Sequence, residues 1–442
     1  MKCLILRKTL STNPDYYCYC EDDFVKVIQD STQSDFNELE TIEVEGRKKE
    51  GLILAEQISV SKDASLKKKL LKKAQAHDYE LLFDDECSEL MKHKTKATAK
   101  IIAEKVLFLK PVLIRFNDDC DGVSSGLLVK KALQEYCLKH NIPLELREQQ
   151  LNSAIYSVND YLWDSDRLEE EGVLFLLDLG ANHQSQQAIQ EATKHYTVVI
   201  LDHHPFNEET VKNTVFLSPM NSEGTSSHTT GLLSYYLAMA LNGKANEKLA
   251  WFSMQSDKSI YRKKTDYLEP VVIDYLTRDY SSLKEYEKVL ESQEKIKSLH
   301  DNALLKMRTT LEKTEQKIKE EKINNALLVT VNLNAVKKKS YPPKSLVINN
   351  IHNKREEKEE LVATVGHSDD AIQFRVSQAL WKKGFKATDI IKKIVKEFEG
   401  VSGGGHEQAA AMRYPLELKN LVLEKTLEET RKVIKETTGK HA

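Results

Sequence analysis

Hydrophobic positions in the middle of this chain gather into short continuous runs that stop abruptly at polar residues. Val112 to Phe116 follows Pro111 and stops at Asn117-Asp118-Asp119-Cys120-Asp121-Gly122. Val173 to Leu177 stops at Asp178-Leu179-Gly180, and Val198 to Leu201 stops at Asp202-His203-His204-Pro205. Aliphatic and β-branched runs of this length predict buried strands. Pro205 has no N–H to donate, so ladder pairing must end there. Between the runs lie helical stretches, with Leu127, Leu128, Ala132 and Leu133 on one apolar side and a Gln-rich segment from Asn182. Thr98 to Leu107 predicts a helix before the first run, and Leu249 to Ser256 predicts one that ends at Asp257. Strand and helix alternating in this order predict a parallel, doubly wound α/β sheet.

The flanks carry weaker patterns. Lys2 to Lys8 predicts a strand, Thr41 to Leu54 a hairpin around Gly46 and Gly51, and Ser65 to Ala76 a short basic helix facing water. Ser282 to Lys322 is highly charged and free of Pro and Gly, and Ser282 with Glu285 forms a capping box. Its stripes (Leu283, Tyr286, Leu290, then Leu299, Ala303, Met307) predict a helical connector, one helix or a hairpin. Four strands are predicted after it, at Ala326–Leu333, Leu346–Asn349, Leu361–Val365 and Ile372–Val376, and then a helix at Ala387–Glu397. Gly403-Gly404-Gly405 before His406 would let backbone approach a ligand, with His406 opening a small-residue helix as a phosphate cradle. The resulting division is 1–95, 96–270, 271–324 and 325–442.

Composition changes this picture little. With 442 residues, roughly two to four domains are expected. Lys plus Arg total 65 against 68 acids, so no global basic signature of nucleic-acid binding exists. Only local groups such as Lys337-Lys338-Lys339 and Lys344 could extend a phosphate track. Cys3, Cys18, Cys20, Cys87, Cys120 and Cys137 form no paired framework, which predicts a reduced, intracellular protein. No run approaches a secretory core or a membrane span, so a cytoplasmic, membrane-free protein is expected.

The chemistry sits where the runs stop. Ligands bind at the carboxyl ends of strands in open α/β sheets. Three successive runs place Asp119 and Asp121, Asp178, and His203 and His204 at that edge, and Asp257 is a further candidate. Clustered carboxylates at close range need a cation or a proton. Carboxylate oxygens mixed with imidazole suit Mn²⁺, and Mg²⁺ less well. Two such ions would share a bridging carboxylate, for which Asp178 is the candidate, and would activate a water against a phosphoester. Asp202 is placed to fix the imidazoles from behind. Thr229-Thr230-Gly231 opens a helix whose free N–H groups could receive a phosphate oxygen. No Ser or Cys nucleophile with a base partner is visible, so metal-activated water is the simplest mechanism, hydrolysing a phosphoester or phosphoanhydride.

The ordered set N-D-D-C-D-G, L-L-D-L-G, L-D-H-H-P and Q-S-D resembles the DHH phosphoesterase family, and Val401 to Ala409 resembles the glycine-histidine motif of its accessory domain. The resemblance covers roughly residues 100–430. It implies a parallel-sheet DHH domain, a helical connector and a smaller α/β DHH-associated domain after an N-terminal extension. It further implies that Asp119, Asp121, Asp178, His203 and Asp257 ligate two Mn²⁺ ions, with His204 on metal or phosphate. Arg375 with Gly404, Gly405 and His406 would hold the phosphate or base end of a substrate. Asn117 stands where relatives usually carry His or Asp. The activity implied is that of RecJ-like exonucleases of the archaeal type, which cut single-stranded DNA or RNA from an end. A nanoRNase or cyclic-dinucleotide phosphodiesterase and a non-catalytic replisome scaffold are the alternatives. By analogy with archaeal relatives, residues 1–95 are a candidate docking region for replisome proteins such as GINS.

Overall fold

The computed structural model describes residues 1–9, 14–29, 36–337 and 340–439; Lys338 and Lys339 of the basic group lie outside them. The chain forms two compact units, Met1–Ile296 and Lys297–Ala442. Among the described residues, no helix is long and apolar enough to cross a membrane.

The first unit opens with β1 (Lys2–Lys8), β2 (Tyr16–Cys20), β3 (Asp23–Gln29), β4 (Thr41–Lys49) and β5 (Leu52–Ser61). They close into a barrel in the order β1-β2-β3-β5-β4, with β4 returning to β1. This is a five-stranded barrel of the OB type. Its interior is filled at period two, by Cys3 and Ile5, Tyr16, Cys18 and Cys20, Val25 and Val27, Ile42 and Val44, and Ile53 and Ala55. Tyr and Cys at inward positions hid β2 from a reading based on aliphatic runs. The expectation that the cysteines stay unpaired is corrected here: Cys3 and Cys20 form a disulfide, with Cα atoms 4.5 Å apart. Antiparallel pairing of β1 with β2, Leu4 opposite Tyr19, brings the two together, which spacing along the chain could not reveal.

Helices α1 (Ser65–Leu71) and α2 (Glu86–Leu107) lead to the parallel sheet. Helix α2 runs through residues 95 and 96, so the expected boundary there falls inside one helix. The sheet comprises β6 (Val112–Asn117), β7 (Leu146–Leu151), β8 (Val173–Leu177), β9 (Thr197–Leu201) and β10 (Val215–Leu217), in the order β10-β9-β8-β6-β7. Every pairing is parallel. The polar sequence of β7, Leu146-Arg147-Glu148-Gln149-Gln150-Leu151, is explained by its place at the sheet edge. Helices α3 (Cys120–His140), α4 (Val158–Ser165), α5 (Gln186–Ala192) and α6 (Glu208–Val211) lie in the connections. Leu113, Leu174, Leu176, Val198 and Ile200 bury one face against Tyr156, Ala188 and Ile189. Arg115, polar within an otherwise apolar run, is 2% exposed and paired with Asp164, which also accepts from Tyr156 Oη at 2.8 Å. Removing one partner of such a buried pair costs about 3–5 kcal/mol.

Helices α7 (Thr230–Asn242) and α8 (Glu247–Ser256) pack with α3. Helices α9 (Glu269–Leu276) and α10 (Leu283–Leu290) follow, and α11 (Gln293–Glu315) carries the chain into the second unit. The expected connector is therefore broken. Leu283 is buried beside Gly126 of α3, Tyr286 Oη donates to Gln150 Oε1 at 2.8 Å, and the last residues of the supposed helix are a strand.

That strand, β11 (Ile318–Ile323), begins a six-stranded sheet with β12 (Ala326–Asn332), β13 (Val362–His367), β14 (Ala371–Val376), β15 (Ser402–Gly405) and β16 (Ala410–Arg413). The order is β11-β12-β13-β14-β16-β15. Helix α12 (Lys344–Glu356) covers one face through Val347, Ile348 and Ile351. The strand expected at Leu346–Asn349 is thus a helix; so short an apolar run fits either period, and burial of Val347, Ile348 and Ile351 at helical spacing decides it. Helices α13 (Gln378–Lys382), α14 (Ala387–Glu397) and α15 (Lys419–Gly439) cover the other face around Phe374, Ile390, Ile394, Met412 and Ile434. The helix expected from His406 is also absent: Gly405 pairs with Ala410 in an antiparallel hairpin. Ala410 and Met412 point into the core while Ala411 and Arg413 do not, a period of two.

Candidate metal centre

The order of strand addition reverses between β6 and β8, since β7 adds on one side of β6 and β8, β9 and β10 on the other. At such a switch point the loops diverge and leave a crevice at the carboxyl ends. The runs of the sequence end there.

After β6, Asp119 caps α3, its Oδ1 accepting from Gly122 N at 2.9 Å. A Cβ at Gly122 would lie 2.5 Å from Asn117 O, so glycine is needed for the helix to start this close to the strand. Asp121, in the first turn, is fully buried. Its Oδ2 accepts from Thr230 N at 2.9 Å, and its Oδ1 from Gly231 N and Ser253 Oγ, each at 2.7 Å. The N-terminus of α7, with its exposed N–H groups and positive dipole end, therefore holds this carboxylate. That corrects the expectation that Thr230 and Gly231 present their N–H groups to a phosphate. A Cβ at Gly231 would meet Ser253 Cβ at 2.4 Å, so glycine permits the contact.

Asp178 follows β8 with φ at +61°, a left-handed conformation that Asp tolerates better than most residues. It is buried, accepting from Thr230 Oγ1 at 3.2 Å and Asn117 Nδ2 at 3.1 Å. Asn117 also donates to Asp119 Oδ2 at 2.8 Å, so its NH₂ group joins the two acids. After β9, His203 Nδ1 meets the Ser226 carbonyl at 2.7 Å. His204 Nδ1 lies 2.9 Å from Asp202 Oδ1, which also accepts from His204 N at 3.0 Å. Asp202 thus orients His204, and the Ser226 carbonyl does the same for His203. Asp257, after α8, stands at the more open side.

His203 Nε2 is the focus of the centre. It lies 3.3 Å from Asp257 Oδ2, 3.4 Å from Asp178 Oδ1 and 3.6 Å from Asp121 Oδ2. It is buried and has no hydrogen-bond partner of acceptable geometry. A ring that donates through Nδ1 turns a lone pair at Nε2 towards three carboxylates, which is unfavourable unless a cation or a proton lies between them. Donor atoms of Asp178, His203 and His204 form one close group, and those of Asp121, His203 and Asp257 a second. Asp119 belongs to neither; its oxygens face Gly122 and Asn117. The two groups overlap at His203, whose Nε2 lone pair can serve one cation, and their oxygen and imidazole donors fit a hard or borderline divalent ion.

Electrostatics agree. Burial, then the charges of Asp178, Asp257 and Asp121, hold the Asp119 carboxyl well above its ordinary range. Burial and Asp121 push Asp257 up to about 8. Burial opposes the charge of His204, but its contacts with Asp202 and Asp178 win and raise it to about 9. Asp178 goes the other way, to about 2, since the close approach of His203, the charges of both imidazoles and the Asn117 bond outweigh burial. Without a cation, protons compensate the negative charge.

Three residues outside the expected set support the centre. Thr230 and Ser253 hold the acids directly, while Asp274 Oδ1 accepts from Cys120 N at 2.8 Å, the amide between Asp119 and Asp121. Asp118, within the acid run, pairs with Arg278 instead. No local pattern marks these contacts, because their partners are 52 to 160 positions away. In the second unit, Arg375 Nε donates to Asn349 Oδ1 and Nη1 to the Phe374 carbonyl. Gly404, Gly405 and His406 are exposed on the β15–β16 hairpin.

Fold and centre define an α/β protein with carboxylates and imidazoles gathered at a sheet switch point, in the arrangement of a phosphoesterase. The chain carries two recognisable domains: the model of the DHH family N-terminal domain matches residues 111–261, and that of the DHHA1 domain matches residues 332–438. An uncharacterized protein of Methanocaldococcus jannaschii is 25% identical over 199 residues, a match spanning 39% of this chain and 26% of that relative. The chain thus spans about a quarter of the curated relative it matches. A solved DHH domain from a member of a ribosomal-protein family has a TM-score of 0.74 at 19% identity, covering 83% of this chain and 97% of that one. The exonuclease RecJ bound to manganese gives 0.55 at 11% identity, covering 77% and 94%. RecJ of Thermus thermophilus with Mn²⁺ gives 0.52 at 12%, covering 78% and 55%. The fold is shared with these structures.

Proposed function

We propose that this protein is a divalent-cation-dependent phosphodiesterase, with Mn²⁺ preferred, that removes nucleotides from an end of single-stranded DNA or RNA. The observation that carries the reading is His203 Nε2, buried, unpartnered and ringed by carboxylates of three separate elements. The manganese-bound RecJ structures that share the fold support the choice of cation and substrate class. Asp121, Asp178, His203 and Asp257 would hold the cations, with His204 beside them. Bound there, two cations would make a water nucleophilic near neutral pH and offset the charge of the phosphoester. The residues themselves do the positioning. The α7 N-terminus and Ser253 fix both oxygens of Asp121, and Thr230 fixes Asp178. His204, 40% exposed at its side chain and anchored through Nδ1 by Asp202, keeps Nε2 for a phosphate or leaving oxygen. Arg375 and the Gly404-Gly405-His406 turn would grip the substrate backbone.

A non-catalytic scaffold is the second reading, favoured by one contact. The Asn117 NH₂ group already bridges Asp119 and Asp178, compensating part of the charge that a cation would neutralise. A time course on end-labelled DNA and RNA strands of graded length, with Mn²⁺ or with EDTA, separates the readings. The proposal expects a Mn²⁺-dependent ladder on long strands. Release from only the shortest oligomers would make the protein a nanoRNase, and no cleavage at all would favour the scaffold.

A further inference from the structure

We infer that the Asp85–His228 pair is a strut that sets cation affinity at the centre, acting through the segment Ser226–Gly231; the inference rests on the centre being a cation site. That segment touches most of the candidate ligands. The Ser226 carbonyl meets His203 Nδ1 at 2.7 Å, and the Ser227 carbonyl accepts at 2.6 Å from Ser259 Oγ, two residues beyond Asp257. Thr229 Oγ1 bonds Ser253, which holds Asp121. Thr230 N and Gly231 N hold Asp121, and Thr230 Oγ1 holds Asp178. A shift of this one stretch would disturb His203, Asp121 and Asp178 together.

His228 fixes where the segment lies. Its backbone N–H returns to the Thr225 carbonyl at 3.1 Å, closing the turn that presents Ser226. Its ring is 3% exposed and packs against Tyr261, with centroids 4.8 Å apart. Nε2 lies 3.1 Å from Asp85 Oδ1, while Nδ1 is buried with no hydrogen-bond partner. The Asp85 contact is therefore the ring's one polar anchor among the described residues. Asp85 is itself rigid. It is the N-cap of α2, with Oδ1 accepting from Ser88 N and Oδ2 from Ser88 Oγ, each at 3.0 Å. Helix α2 begins before residue 111, where the DHH family match starts, so the strut is anchored outside the family-matched stretch.

Asp85, Cys87 and His228 also bring their donor atoms within 4.8 Å of one another, as a metal site would. Both Asp85 oxygens are already engaged by Ser88, and the Cys87 thiol sits against Met91 and the Pro219 carbonyl. Cap and strut account for the group without a cation.

Partners that orient metal-ligating groups typically change affinity 10–100-fold when removed. The test is Mn²⁺ affinity of the full chain, read from the electron paramagnetic resonance signal of free Mn²⁺, alongside the urea midpoint. Asp85→Ser keeps a capping oxygen but loses the carboxylate, and His228→Phe keeps the ring but loses Nε2. Both are expected to weaken Mn²⁺ binding about tenfold. Asp85→Asn, still an acceptor for His228, is expected to restore it. The urea midpoint of Asp85→Ser should stay close to that of the parent, because the cap survives. Parental Mn²⁺ affinity in Asp85→Ser and His228→Phe, with His203→Ala unable to bind, would overturn the strut and leave the centre standing. Parental affinity in His203→Ala would overturn the centre and the strut with it. Zinc bound stoichiometrically in His203→Ala but lost in Cys87→Ser would make the trio a metal site and overturn the strut.

Discussion

The centre of the first unit and the glycine hairpin of the second are built in opposite ways. Asp121 is fully buried and accepts three hydrogen bonds from two helices, and Asp178 takes two from Thr230 and Asn117. Gly403, Gly404, Gly405 and His406 are exposed at the edge of a sheet. Burial makes the first site expensive to disturb, because unpaired charges in a low-dielectric interior have no water to turn to. Exposure leaves the second free to take up a backbone of variable sequence. Under the proposed function, the first would hold small ions in fixed geometry and the second would meet a polyanion.

The contrast predicts a steep scale of effects. Asp121→Ala or His203→Ala should reduce hydrolysis of a labelled strand on the order of 10³-fold or more, since the missing cation supplies several kcal/mol of transition-state stabilisation. Activity within a few fold of the parent in both would break the assignment of the centre. Arg375→Ala and His406→Ala should instead raise KM about tenfold with kcat little changed, as expected of uniform backbone binding. A fall in kcat without a rise in KM would move these residues into the chemistry. Asn117→His, adding a donor beside Asp119 and Asp178, should tighten Mn²⁺ binding about tenfold in a titration. Weaker binding would mean that the NH₂ bridge organises the acids better than another ligand can.

The smallest effect is on stability against pH. Asp257, held at about 8, and His204, held at about 9, both bind protons in the folded state that the unfolded chain has released. Their contribution is full below their unfolded values and is lost as pH rises through about 8 and 9. The metal-free protein should therefore melt a few degrees lower at pH 9 than at pH 6, roughly 2–4 °C. Asp178, at about 2, loses its contribution only in strong acid, outside this window. Mn²⁺ should remove the slope by replacing protons, and calorimetry in two buffers should detect their release. An unchanged slope with Mn²⁺ would place the cation elsewhere.

Much of this protein was already determined by its sequence. The runs 112–116, 173–177 and 198–201 dictate a parallel sheet because a strand buried on both faces must be apolar throughout, and the first polar residues after each run must lie at its exit. That alone put Asp119, Asp121, Asp178, His203 and His204 on one edge. Tertiary structure decided the rest. Short apolar runs fit either period, so Leu346–Asn349 became helix α12 only when it met a sheet, and the residues after His406 became a strand for the same reason. The barrel's Tyr and Cys interior, the Cys3–Cys20 bond and the supports Thr230, Ser253, Asp274 and His228 depend on partners far along the chain. Periodicity records which face of an element is buried. Which element it is buried against, and which donor each carboxylate finds there, is settled only when distant segments pack.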